Sequence, residues 1–366
     1  MSRRRSNRKT VPTIVVLLIA IGVAWYRANP QRNPASARES GVPAATAKTS
    51  ASVAAPSGGG TAAPGAYRDP NPDVLVLGTW NIEWLGKPDQ RSGPARGVAQ
   101  SPDDLADYIA ASGAEILALE EIVTFTPGSP IRSPELEAVL EALAGKTGAS
   151  WDYVLFQGRA KGDQLTGVMW NASAVAAQTT DGRPWDQLHS TPHRLPIEEG
   201  RSAQGTALWN RPPHAMRFSA GPGRTDLVLI PVHMKADYRG KFESHRAAEA
   251  EALAKALPAV RTAFADQDVV VLGDSNAADA GEACIRSLVD AGLIDLNRGN
   301  EVTHVAGYTM DRIMPPQGQP EFANSRQRVF STDYLSKRRL TETDFKTRYS
   351  DHFMVLADVR VMPDDD

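Results

Sequence analysis

The stretch that most constrains the fold is residues 269–276, VVVLGDSN. Four apolar, mostly β-branched residues run without a break into Gly-Asp-Ser-Asn, the pattern of a buried strand that stops abruptly at a polar tip. The glycine permits a tight turn of the backbone and leaves Asp274 and Asn276 at the C-terminal edge of a sheet. Open α/β sheets carry their chemistry at such edges. A carboxylate beside a neutral amide offers a base or metal ligand together with a hydrogen-bond donor. The tetrapeptide alone reads equally well as an Asx turn. What favours chemistry is that four other strand ends in the chain carry polar residues of complementary type.

Ahead of it, VLVLGTWNIEWLG reads as a strand beginning near Asp73. Alternation places Asn81 and Glu83 on one face and Trp80, Ile82 and Trp84 on the other. PDDLADYIAASGAEILALEEI reads as helix, turn and strand, started by Pro102 and Asp103, stopped by Gly113 and ending in Glu120 and Glu121. Adjacent carboxylates repel unless a cation or solvent intervenes, so one of them is a candidate metal ligand and solvated loop charge is the alternative. The helix PELEAVLEALAG leads to two strands, WDYVLFQGR and GDQLTGVMWNAS. Residues 181–214 read as loop, and their histidines show no metal-ligand spacing. TDLVLIPVHMKAD is an apolar strand ending in His233 and Lys235, whose alternation aims two cationic donors at one anion.

After GDSN come a helix holding Cys284, a long loop from about Leu296 to Gln327, and a strand, VFSTDYLS, bearing Asp333. YSDHFMVLADVRV then sets Ser350, Asp351 and His352 just before a last strand. A carboxylate elsewhere, Asp333 or Asp274, is available to orient the His352 imidazole and raise its basicity. The sequence holds no Gly-x-Ser-x-Gly elbow and no Walker loop, which argues against a serine hydrolase or a P-loop ATPase. Cys284 is the sole cysteine, so there is no internal disulfide and no cysteine-based zinc site; it reads as a small core residue.

Charge is unevenly spread. Residues 1–68 hold ten Lys or Arg against one acid, Glu39, leaving 30 basic and 42 acidic residues after position 68, a net of −12. The folded part therefore lacks a broad basic footprint for nucleic acid, although a local basic groove stays open. The start, MSRRRSNRKT followed by an apolar run of 16 residues, reads as an export signal. Residues 1–28 are expected to be an uncleaved signal anchor that leaves the catalytic domain outside the cytoplasm, with a cleaved signal peptide and secretion as the alternative. Residues 29–72, rich in Ala, Pro, Ser and Gly, bury too little surface to offset ordering entropy and read as a flexible tether. Residues 73–362 form the catalytic domain, and 363–366 an acidic tail.

Taken in order, WNIEW, LALEEI, VHMK, GDSN, STDYLS and SDHFMV resemble the strand-end motifs of the endonuclease/exonuclease/phosphatase superfamily, over residues 73 to 362. The resemblance implies an α/β fold like that of deoxyribonuclease I, a four-layer sandwich of two packed mixed β-sheets flanked by helices. It implies a divalent cation, Mg2+ with Mn2+ or Ca2+ as alternatives, on Glu121, with Asp351 holding metal or water. Asn81 would contact the scissile phosphate or help position the metal's ligand shell, and His233 would donate to a phosphate oxygen, with Lys235 as a further substrate contact. Asp274 and Asn276 would position the attacking water and stabilise the transition state, while Asp333 would orient His352. Two departures stand out. Glu120 replaces a usual glutamine, tightening metal binding or merely facing solvent, and Ser275 replaces a frequent phenylalanine. The implied function is a metal-dependent phosphodiesterase, foremost a monomeric nuclease. A phosphatase or phospholipid phosphodiesterase acting on inositol phosphates or sphingomyelin is the second enzyme reading, and a catalytically silent binding module the third.

Overall fold

The computed structural model describes residues 73–159, 164–197, 207–236 and 240–365. The N-terminal signal or anchor and the tether lie outside them. No helix among the described residues is long and apolar enough to cross a membrane.

Two sheets make the frame. The first contains β1 (Val74–Leu85), β2 (Ile116–Ile122), β3 (Trp151–Leu155), β4 (Leu165–Asn171), β11 (Arg328–Phe330) and β12 (Met354–Arg360), in the order β11-β12-β1-β2-β4-β3. The second contains β5 (Ala176–Gln178), β6 (His193–Arg194), β7 (His214–Ser219), β8 (Asp226–His233), β9 (Val269–Asp274) and β10 (Asp311–Met314), in the order β10-β9-β8-β7-β5, with β6 pairing β7. Each sheet has one parallel pair, β1 with β2 and β8 with β9, among antiparallel neighbours.

The helices are α1 (Pro102–Ser112), α2 (Pro134–Thr147), α3 (Glu243–Phe264), α4 (Ala283–Asp290), α5 (Thr332–Arg338) and α6 (Glu342–Arg348). Their ends follow from side-chain chemistry. Ser101 and Ser133 accept the Asp104 and Leu136 amides ahead of prolines at the first turn, and Gly113 and Gly148 close α1 and α2 in the left-handed region. Thr341 and Asp344 form a reciprocal capping box at α6.

Period-two alternation explains the layering. Leu75, Leu77, Leu227, Leu229, Val270 and Leu272 meet between the sheets, whereas Val76 and Trp80 pack with α1 and α2, and Val228, Ile230, Val269 and Val271 pack with α3 and α4. Each side chain so buried contributes roughly 1.5–3 kcal/mol over leaving it exposed. The result is the expected four-layer sandwich.

Two local readings are corrected. The stretch from Leu296 to Gln327 is not all loop, because Asp311–Met314 forms β10 against β9. VFSTDYLS is not a single strand: β11 ends at Phe330, and α5 begins at Thr332, with Asp333 in its exposed first turn.

The topology gathers one edge. The parallel pairs deliver the C-terminal tips of β1, β2, β8 and β9 together, while antiparallel β10 and β12 deliver their N-terminal starts to the same side. Gly273 makes the tip of β9 possible. Its φ is +137°, and an added Cβ would lie 2.0 Å from the Val232 carbonyl oxygen and 2.9 Å from Glu120 Oε1. Gly273→Ala is therefore expected to cost about 2–4 kcal/mol, as strained backbone plus overpacking. Urea denaturation checks this; a midpoint equal to that of the parent chain would refute it.

Candidate active site

The gathered strand tips line a cleft of about 190 Å³ that includes Glu83, Ser92, Glu121, His233, Asp274, Asn276, His304, Asp351 and His352. Four non-glycine residues on these tips, Glu83, Trp84, Glu121 and Asn276, adopt positive φ between 51° and 66°. Such strain survives only where the surroundings over-determine it. Here β1 and β2 lose regular register between Asn81 and Leu85, and the bulge turns their last side chains toward the cleft.

Asp274 is the hub. Its Oδ2 accepts Asn81 Nδ2 at 3.1 Å and lies 3.6 Å from His233 Nε2 and 3.9 Å from His352 Nε2, while Oδ1 accepts the Asn276 amide at 2.8 Å. Burial raises its pKa; the His352 charge opposes that, and Asp311 adds to it. Asn276 is fixed by its Nδ2 donating to the Met234 carbonyl at 3.2 Å. His233 is held neutral, its pKa well below the ordinary histidine value, first by burial and then by the cations Arg211, His352 and Lys235.

The His352 ring receives its orientation from Asp311, whose Oδ2 lies 2.9 Å from Nδ1. Burial by itself would lower the imidazole pKa, but Asp311, Asp274 and Asp351 outweigh it and hold the ring cationic well above the usual value. The turn before it is tied to β1: Ser350 Oγ donates to the Asn81 carbonyl at 2.6 Å, and Trp80 Nε1 donates to the His352 carbonyl at 2.9 Å.

Glu121 Oε2 accepts the Trp84 amide at 3.0 Å, and Oε1 lies 3.8 Å from His233 Nε2. Burial pushes its pKa up to about 7, with His352 opposing and Asp351 adding to the shift. Asp351 behaves oppositely. Burial would raise it, but His304, His352 and Lys346 together hold it well below the usual carboxylate range. The Lys346 ammonium, from α6, is 3.4 Å from Asp351 Oδ2 and donates to Ser92 Oγ at 2.7 Å.

Among solved structures, the human Nocturnin catalytic domain with bound sulfate superposes with a TM-score of 0.51 at 16% identity, covering 81% of this chain and 97% of that one. The chain has the endonuclease/exonuclease/phosphatase fold. The endonuclease/exonuclease/phosphatase protein of Beutenbergia cavernae DSM 12333 gives 0.47 at 18% identity, over 79% of this chain and 72% of that one. D. rerio TDP2 complexed with single-strand DNA product gives 0.45 at 15% identity, over 79% of this chain and 99% of that one. No family model matches the sequence, and no curated protein matches it.

Within this fold, Asn81, Glu121, His233, Asp274, Asn276, Asp351 and His352 all belong to the one strand-tip edge described above. Two residues expected there do not take the expected places. Asp333 sits in the first turn of α5, and the carboxylate on His352 is Asp311. Lys235 lies beyond the end of β8, where alternation no longer holds, and its ammonium packs 4.8 Å from the Phe242 ring centroid rather than joining the cleft lining. Glu120 neither faces solvent nor joins the cleft lining: it is fully buried, accepts Thr79 Oγ1 at 2.9 Å, and is pushed well up in pKa by burial and then by Asp311. Glu83 is taken up by fully buried Arg91, whose Nε and Nη2 donate to one carboxylate oxygen at 3.1 and 2.9 Å.

The donor set fits a hard divalent cation. Glu121, half-buried, and Asp274, buried, are carboxylates whose pKa values burial raises, and oxygen donors of this kind suit Mg2+. Among the described residues, the ligand-type atoms that cluster at the cleft are those of His304, Asp351 and His352 and those of Asp274, Asp311 and His352. Glu121, the cation ligand that the motif resemblance implies, lines the same cleft as Asp351. Cation binding needs the ionised carboxylate. With a pKa of about 7, the apparent Mg2+ affinity is expected to fall about tenfold from pH 8 to pH 6. Isothermal titration at the two pH values measures it, and equal affinities would remove Glu121 from the ligand set.

Proposed function

We propose that this chain is a divalent-cation-dependent phosphodiesterase that hydrolyses nucleic-acid backbone by direct attack of water, held at the outer side of a membrane by its N-terminal segment. One observation carries the reading. A buried carboxylate, Asp274, shares a cleft with two amides and two imidazoles whose protonation states differ, one neutral and one cationic.

Each residue has a task in such a reaction. Asp274, with its raised pKa, takes the proton of the attacking water. Asn276 and Asn81 orient that water and the phosphate. The His352 imidazolium and the neutral His233 donate to non-bridging oxygens, where charge develops in the transition state, while the ester P–O bond opposite the attacking water breaks and its oxygen leaves as an alcohol with a proton from solvent. A divalent cation on Glu121 would neutralise further charge on the phosphate oxygens.

The test is nicking of supercoiled plasmid by the full-length chain with Mg2+ and with EDTA. Metal-dependent nicking supports the nuclease reading. Absence of nicking sinks it and directs the assay to phosphate release from inositol phosphates and phospholipids, the reading that the net charge of −12 after position 68 favours.

A further inference from the structure

His304 lies in the 296–327 stretch and belongs to none of the strand-tip motifs, yet it lines the cleft. Its backbone is fastened to the Asp351–His352 turn. His304 bridges His352, the Val305 amide donates to the Asp351 carbonyl at 2.9 Å, and the Phe353 amide donates to the Thr303 carbonyl at 2.7 Å. A tight turn closes behind it, with the Gly307 amide on the His304 carbonyl at 2.8 Å and Gly307 at φ +86°.

The ring is as constrained as the backbone. The Ala306 amide donates to His304 Nδ1 at 2.9 Å. An amide can only donate, so Nδ1 is the unprotonated nitrogen and the hydrogen resides on Nε2. The ring meets His352 edge to face, with centroids 4.7 Å apart and planes at 87°. Nε2 is 3.6 Å from Asp351 Oδ2, longer than an ordinary hydrogen bond. The structure thus fixes a tautomer whose Nε2–H lies on the Asp351 side of the cleft, with that carboxylate 3.6 Å away as its neighbour.

We propose that His304 is a substrate-binding residue whose Nε2–H donates to a phosphate oxygen on the Asp351 side of the cleft. This rests on the cleft being a phosphate seat. It adds a third imidazole to the two at the strand tips, one that contacts the anion without taking part in proton transfer.

The test uses the full-length chain with inorganic phosphate as probe, in parallel with hydrolysis of bis(p-nitrophenyl) phosphate. Glutamine places an N–H donor near the position of Nε2, whereas phenylalanine keeps the ring and removes the donor. The His304→Gln protein is expected to bind phosphate within about threefold of the parent chain. His304→Phe, and His304→Ala as a second donor-free variant, are expected to bind about 10–100-fold more weakly, the worth of one hydrogen bond to a charged group. In hydrolysis the Phe variant should raise KM by more than it lowers kcat. Phosphate binding by the Phe and Ala variants equal to that of the parent overturns the proposal, as does a parent chain that binds no phosphate. Phosphate binding that depends on His304, in a chain that hydrolyses no ester, would leave His304 standing and remove the catalytic reading instead.

Discussion

Asp274→Asn is expected to lower kcat about 10²–10⁴-fold, the usual loss when a positioned general base is removed, while leaving the protein at least as stable as before. The two halves of this expectation have one cause. Asp274 is buried, and burial, with Asp311 beside it, raises its pKa above the unfolded value, His352 compensating only in part. For an acid raised in this way, the folded state binds more protons than the unfolded state between the two pKa values, so stability falls as pH rises through that window. At neutral pH the ionised carboxylate is thus a burden on the fold. Asparagine keeps the shape and an acceptor for the Asn276 amide without that burden, although its amino group meets the Asn81 donor less well. Thermal melts and steady-state kinetics on the same preparation decide it. A large drop in melting temperature at pH 7 would show that Asp274 is chiefly structural. Retained turnover would assign the base elsewhere.

Asp274 was also the residue easiest to find in the sequence, and the reasons show where such reading stops. VVVLGDSN is a long apolar run ending at a glycine, so both the strand and its polar tip follow from composition and order. The same holds for the tips carrying Asn81, Glu121 and His233, each at the end of a buried strand of seven or more residues. Asp311 is different. Its strand has four residues, lies inside a stretch with several prolines and glycines, and begins with the functional carboxylate rather than ending in it. Its signal was a polar residue followed by Ile313 and Met314, too short to set a period. Asp333 is expected at the site from the STDYLS motif, but the Ser331-Thr-Asp triplet starts a helix there, and its carboxylate stays in solvent. Lys235 departs from the alternation expected of it for a related reason: alternation holds only while a chain stays extended, and β8 ends at His233. Arg91 and His304 reach the site from loops, through partners 250 or so residues distant or through a single bridge, and loop geometry of that kind is set by tertiary contacts rather than local pattern.

Asp311→Asn is the complementary prediction, with an expected loss of about 10²–10⁴-fold in kcat, whereas Asp333→Asn should leave turnover unchanged. Asp311 is fully buried and meets His352 Nδ1 through both carboxylate oxygens, at 2.9 and 3.2 Å. An asparagine there holds no charge to favour the imidazolium and presents a donor as readily as an acceptor, so both the charge and the direction of Nε2 are lost. The effect on stability has a defined sign. In the metal-free chain, burial lowers the His352 pKa, but Asp311 and the two other aspartates overcome it and place the folded value well above the unfolded one. That contribution is fully present below about pH 6.5, the unfolded histidine value, and is lost as pH rises through the folded value. The stability gap between parent and Asp311→Asn should therefore be widest in mildly acidic urea titrations and should narrow in alkali. A gap independent of pH would mean that Asp311 acts by packing alone. If instead Asp333→Asn abolished turnover and Asp311→Asn did not, the imidazole would be oriented in solution by a different carboxylate from the one that meets it in this structure.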